Sequence, residues 1–282
     1  MRNCRFGLLM TTTLALTVPL FSIHAKAEES LLERGTYLVQ TVAACGNCHT
    51  PKEGPLQGQE LAGGFKIEFP AFAAYASNIT PDQETGVGAW SDEQLITAIR
   101  EGKRPDGSII GPPMPIALYR QLSDRDVHAI VAYLRTVKPV QNVVPKSEYK
   151  FPLPPAYGPS VGSVADVPNS DPVRYGEYLA GPVAHCVECH TPFVQGHPDF
   201  ANQLGHGGFE FPGPWGVSIS RNITNDAEKG LGAWTDDQIR IAITQGLRPD
   251  GNALLPPMPF YAYRAIKDED LNAIIAYLRT LR

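Results

Sequence analysis

"CGNCHTP" occupies residues 45–51 and "CVECHTP" occupies residues 186–192. In both, two residues separate a pair of cysteines and a histidine follows the second cysteine directly. The likeness continues outward. "GTYLVQTVAACGNCHTP" from Gly35 aligns with "GEYLAGPVAHCVECHTP" from Gly176, an offset of 141 residues (Cys45 to Cys186). "NITPDQETGVGAWSDEQLITAIREGKRPDG" from Asn78 aligns with "NITNDAEKGLGAWTDDQIRIAITQGLRPDG" from Asn222, an offset of 144, so the second copy carries a net three extra residues between these motifs. "AIVAYLRT" from Ala129 answers "AIIAYLRT" from Ala273. One domain is present twice.

The periodic segments of each copy are helical. Ser91 with Gln94, and Thr235 with Gln238, form capping boxes, and Gly102 and Gly246 suit left-handed C-terminal caps. The last helix of each copy carries one apolar stripe, Val127, Ile130, Val131 and Leu134, then Leu271, Ile274, Ile275 and Leu278. Alternating strand patterns are scarce, so the expected class is mostly α, two tandem domains. They occupy residues 28–140 and 172–282. The proline-rich segment 141–171 between them reads as an extended linker, expected to run along both domains as a strap. Domains of this size with 26 glycines and 26 prolines in the chain need something at their centres besides aliphatic side chains, and a flat cofactor would supply it.

Three chemistries use a C-x-x-C pair. A zinc site wants two knuckles roughly 15–20 residues apart, whereas these lie 141 apart. A thioredoxin-type dithiol wants a βαβ context that is missing. Covalent haem uses every residue: both thiols add to the vinyl groups from one helical turn, and the adjacent histidine reaches the iron from the same side. Cys45, Cys48, Cys186 and Cys189 are thus the expected anchors of two haems, with His49 and His190 as iron ligands. Each histidine should donate its second N–H to a backbone carbonyl.

A sixth ligand comes from a short list. Of four methionines, Met1 and Met10 fall in the N-terminal segment, leaving Met114 in "GPPMP" and Met258 in "LPPMP", paired at the offset of 144. Both sit in proline-braced loops rather than on a helical stripe, which suits a weak thioether ligand that must be held in place. His185, His206 and His128 are not duplicated and read as surface or satisfied histidines. Asn78 and Asn222 read either as local Asx turns or as amide donors near the cofactor. Arg104 and Arg248 read as turn residues or as partners of haem propionates, and Trp90 and Trp234 as packing.

Residues 1–27 read as a secretory signal rather than an uncleaved membrane anchor: Arg2 and Arg5, then an apolar stretch from Phe6 to Ile23, interrupted by a run of three threonines and by Pro19, then Ala25-Lys26-Ala27. Its removal takes away three basic and no acidic residues, moving the net charge from −5 to −8. Residues 28–140 hold 10 basic against 14 acidic side chains and residues 172–282 hold 9 against 12, so nucleic acid is excluded as the main partner. No later stretch is long and apolar enough to span a bilayer, and the signal makes the periplasm the expected place of the mature chain.

The order C-x-x-C-H, "NIT", G-x-G-A-W, "RPDG", "PPMP", "AYLRT" resembles class I cytochrome c domains. It is similar to the multihaem cytochrome c subunits of bacterial membrane-bound alcohol and other periplasmic dehydrogenases. The resemblance covers residues 35–140 and 175–282 and implies a helical sandwich around each haem. Carried over, it makes Cys45, Cys48, Cys186 and Cys189 the thioether sites, His49 and His190 the proximal ligands, and Met114 and Met258 the distal ones. Many such subunits have three domains and a membrane-binding tail, whereas two domains and no such tail are expected here. The expected function is a dihaem electron carrier, not itself an enzyme, between a periplasmic dehydrogenase or other donor and a respiratory acceptor. Alternatives are a dihaem peroxidase, a thiosulfate-oxidising cytochrome, or a dedicated subunit of a dehydrogenase complex.

Overall fold

A computed structural model describes residues 29–213 and 215–282; the expected signal, residues 1–27, lies outside the described residues. Ser30 starts the first helix, α1 (Leu31–Tyr37). Its hydroxyl accepts from the Glu33 amide and the Glu33 carboxylate accepts from the Ser30 amide. α1 widens into a π turn over Leu38–Val42 and then delivers the one-turn α2 (Gly46–His49). The strands β1 (Lys66–Phe69) and β2 (Phe72–Tyr75) form an antiparallel ribbon. α3 (Asp92–Glu101) has the expected capping box and ends on Gly102 at φ 65°. One-turn α4 (Ile116–Tyr119) follows the Met114 loop, and α5 (Asp124–Leu134) closes the domain.

The second domain repeats this order. α6 (Pro172–Tyr178) runs into a π turn over Leu179–Val183 and then α7 (Cys186–Cys189). Pro182 lies inside that turn while Thr41 holds the matching place in the first, so the widening does not depend on proline. A small hairpin, β4 (Phe193–Val194) with β5 (His197–Pro198), falls in the interval where the second copy has its extra residues. The ribbon β6 (Glu210–Gly213) with β7 (Gly216–Ile219) follows, then α8 (Asp236–Gln245), α9 (Phe260–Tyr263) and α10 (Asp268–Leu278).

Each domain is organised by one helix crossing. α1 meets α5, and α6 meets α10, so closely that a Cβ built on Gly35 would lie 1.9 Å from the Ala129 carbonyl oxygen, and one on Gly176 1.9 Å from that of Ala273. Only glycine permits this approach. The expected stripes are buried on these helices: Val127, Ile130, Val131 and Leu134 on α5, and Leu271, Ile274, Ile275 and Leu278 on α10.

The ten α-helices and two π turns account for 32% of the described residues, so the expectation of a mostly α protein is not confirmed. The helices form the centre of each domain, and glycine- and proline-rich loops with short ribbons form its wall. Such loops enclose space rather than fill it.

The segment 141–171 also departs from a plain linker, because it contributes a strand. β3 (Glu148–Tyr149) adds to the outer edge of β2, making a three-stranded sheet. Farther on, Tyr157 donates to the Ile110 carbonyl, and Ser163 and the Val164 amide donate to Asp124. These bonds all run to the first domain.

The domains meet reciprocally. Tyr37 donates its hydroxyl to Asp270 at 2.7 Å and accepts from the Lys267 amide at 3.1 Å. Tyr178 donates to Asp126 at 2.8 Å and accepts from the Ser123 amide at 3.1 Å. Asp126 also takes a two-pronged bond from the buried Arg34 guanidinium. One apolar cluster, including Leu38, Val42, Leu179 and Val183, runs through both domains.

Candidate functional site

Each C-x-x-C-H motif sits on a single helical turn behind the π segment, which puts both cysteines and the histidine on one short support. The residue before the first cysteine is left-handed in both copies, Ala44 at φ 46° and His185 at φ 44°. A non-glycine residue in that region carries strain of about 1–3 kcal/mol, which tends to persist at functional sites. All four thiols are free. Burial pushes Cys45 and Cys186 up to about 12 and Cys48 up to about 11. Cys189 is raised too, by burial first and then by Glu188, Cys186 and Cys48. That last influence crosses the domain boundary, and the π segments before the two C-x-x-C turns also touch one another.

The histidine ring nitrogens are held as the resemblance to a metal ligand requires. His49 Nδ1 is 2.7 Å from the Ser77 carbonyl, and His190 Nδ1 is 2.6 Å from the Arg221 carbonyl, at matching positions of the repeat. A carbonyl can only accept, so Nδ1 carries the proton and Nε2 keeps its lone pair. Burial lowers the pKa of both imidazoles and keeps them neutral.

Met114 and Met258 each follow a cis Pro–Pro bond, Pro112–Pro113 and Pro256–Pro257. Their loops are supported differently. Tyr149 and Tyr157, from the strap, donate to the carbonyls of Pro112 (2.9 Å) and Ile110 (2.8 Å) in the Met114 loop. In the Met258 loop the Pro257 carbonyl instead accepts from Asn47, which lies inside the first C-x-x-C.

The structure brings all eight expected residues to one continuous cavity of about 3160 Å³. Cys45, Cys48, His49 and Met114 line one part, and Cys186, Cys189, His190 and Met258 the other. An ordinary small-ligand pocket holds roughly 300–1,000 Å³, so the space accommodates more than one large group. Free thiols, neutral imidazoles with an open lone pair and apolar walls fit two covalent haems.

Other expected residues have plainer surroundings. Asn78 and Asn222 accept at Oδ1 from the amides of Thr80 and Thr224, the Asx-turn reading. The Asn78 amide group goes on to the Val140 carbonyl. Arg104 bonds Ser108 and the Ile109 carbonyl, and Arg248 pairs with Asp250 at 3.1 Å; both also line the cavity. Trp90 and Trp234 pack against buried apolar residues. His128 and His206 face the carbonyls of Asp124 and Arg282, whereas His185 is half-buried and edge-on to Tyr119 of the other domain. Sequence reasoning missed Asn47, Tyr149 and Tyr157. It also gave no role to Arg135 and Arg279, which clamp the carbonyls of Trp90 and Trp234. Their repetition in "AYLRT" was the available signal.

Comparison with known proteins puts both domains in one family. The family profile described as "Cytochrome c" matches residues 32–138 and again 176–282. The chain is 32% identical to the fructose dehydrogenase cytochrome subunit of Gluconobacter japonicus, over 97% of this chain and 57% of that protein. It is 35% identical to the cytochrome c subunit of the alcohol dehydrogenase (quinone) of Gluconobacter oxydans, over 92% of this chain and 56% of that protein. A diheme cytochrome c-type protein of Cereibacter sphaeroides is 28% identical over 83% of this chain and 81% of its own. The chain thus spans little more than half the length of the first two relatives. Two matched domains, each with its own C-x-x-C-H turn, give a protein with two covalently bound haem c groups. The chain belongs to the cytochrome c family.

Proposed function

We propose that this protein passes single electrons in the periplasm from a dehydrogenase to a respiratory acceptor, with Cys45, Cys48, Cys186 and Cys189 as thioether sites. His49 and Met114 would hold one iron, His190 and Met258 the other. Residues 28–140 and 172–282 are assigned to the two domains, and residues 141–171 to the strap. The observation that carries the reading is the matched pair of sites: in each, a histidine held by a carbonyl and a methionine loop line the same cavity. Haem held in this way supplies a one-electron couple, and a methionine ligand raises its potential. The chain's own groups do the rest. Neutral imidazoles offer Nε2, the Ser77 and Arg221 carbonyls fix their orientation, and the apolar wall limits water. A methionine for each iron supports a carrier over a peroxidase, which needs a vacant or readily displaced position.

A second reading, a lasting subunit of a dehydrogenase complex, is favoured by the names of the relatives, which are subunits of fructose and alcohol dehydrogenases. No helix among the described residues is long and apolar enough to cross a membrane. Met114→Ala and Met258→Ala should each abolish one sulfur-to-iron charge-transfer band. A variant that keeps both bands means another ligand, and steady peroxide turnover by the purified protein would overturn the carrier reading. Co-purification from native periplasm separates a shuttle from a subunit.

A further inference from the structure

The two ribbons are the same element in the repeat, but their outer edges are treated differently. In the first domain β3 covers β2: Phe72 lies opposite Tyr149 and Ala73 opposite Glu148. The Tyr75 amide donates to the Ser147 hydroxyl, and the Lys150 amide to the Ala71 carbonyl, both at 2.9 Å. In the second domain no strand among the described residues pairs with the outer edge of β7.

That edge is open in a definite way. Ser220 bonds inward to Gly208 and Phe209, so Ser218 and Gly216 share its direction while Val217 and Ile219 turn their amides and carbonyls outward. Their side chains are 57% and 53% exposed and line the cavity described above, as Phe72 and Tyr149 do in the first domain, so the open edge is judged by its backbone groups. Gly216 replaces Phe72, and the space above it is empty to 4 Å, in the place where Phe72 meets the Tyr149 ring at 5.8 Å in the first domain. Proteins usually blunt an exposed edge with lysine, proline or a bulge. The Gly-Val-Ser-Ile run of β7 has none of these.

We propose that β7 is a docking edge for an extended strand of a partner polypeptide, one that presents a hydroxyl residue two positions before an aromatic. The first domain supports this choice of occupant, because the equivalent edge there is filled by Ser147-Glu148-Tyr149, flanked by prolines, and not by a second copy of the ribbon. The strand runs antiparallel to β7. Its hydroxyl accepts from the Ile219 amide, its backbone meets Val217, and its aromatic ring lies over Gly216. Main-chain bonds supply affinity and the ring and hydroxyl supply selectivity, as in other strand additions.

The test uses the full haem-loaded chain and, as probe, a synthetic peptide of residues 143–154, "VVPKSEYKFPLP". Amide exchange at Val217 and Ile219 should slow about tenfold or more as the peptide binds one to one. Peptide with Ser147→Ala and Tyr149→Ala together should lose most of that protection. Val217→Pro removes an outward N–H that the ribbon does not use, and should abolish binding with the haem spectrum unchanged. Ile219→Lys tests the same edge without altering the backbone. No slowing at these two amides in millimolar peptide overturns the proposal. So does slowing confined to residues 72–75, which means the peptide displaces the strap. Protection already present without peptide and lost on dilution overturns it in favour of a second copy of this chain.

Discussion

Asn47 donates its side-chain amide to the Pro257 carbonyl, 3.1 Å away across the domain boundary. The turn that bears Cys45 and Cys48 therefore steadies the loop that bears Met258. The Met114 loop has no such bond to the other domain among the described residues, and rests on strap tyrosines instead. Two loops with the same "PPMP" sequence thus have unlike supports.

Asn47→Ala should loosen the Met258 loop alone. Losing one hydrogen bond and leaving Pro257 unpaired costs about 1 kcal/mol. Spectroelectrochemical titration should show the second haem at lower potential and the first nearly unmoved. Equal shifts in both, or in neither, would count against this coupling.

Tyr149→Phe is the mirror case. The hydroxyl bond to Pro112 is lost while the ring stays against Phe72. The same titration should now move the first haem, by a similar cost of about 1 kcal/mol, and leave the second in place.

Gly176→Ala should be among the most damaging small changes in the chain. Its Cβ would fall 1.9 Å from a backbone oxygen of α10, so the helices must part. Overpacking of this kind costs about 1–3 kcal/mol or more, and Gly35→Ala should match it. Gly162→Ala, with nothing near its Cβ and no left-handed φ, is the control and should melt with the wild type.

The strap should let go in acid. The Ser163 hydroxyl first, then Arg100 and the Val164 amide, hold the Asp124 carboxyl down from 3.8 to about 2. A depressed carboxyl stabilises the fold above its unfolded value and loses that contribution as pH falls through the folded one. Wild type should exceed Asp124→Asn in stability at pH 5, with the gap closing between pH 4 and pH 2. Asp124 is partly exposed, so the gap will be small. A gap that widens toward pH 2 would contradict the assignment.

Much of the site was legible because it occurs twice. The attachment turns, capping boxes, buried stripes and methionine loops each appear in both copies, and repetition separates a requirement from an accident. The carbonyl partners of the histidines were not legible, since any residue offers a carbonyl and only folding brings Ser77 to His49. The ribbons escaped notice because their strands are only four residues long, too short for an alternation such as that of Lys-Ile-Glu-Phe in β1 to stand out. Asn47 escaped for the opposite reason. Glu188 stands at its place in the second copy, and a search for shared residues passes over whatever breaks the likeness.

Tyr37 reaching Asp270 while Tyr178 reaches Asp126 is the isologous contact of a two-fold dimer, one patch serving as its own complement. Here both halves of that dimer lie on one polypeptide, so the strap fixes their stoichiometry and their local concentration. In a dimer of identical chains every change in the patch strikes twice. In the fused form it strikes once, and the halves can drift apart. Arg34 against Tyr175, matching positions with a cation in one half and a phenol in the other, is a mark of that release from symmetry.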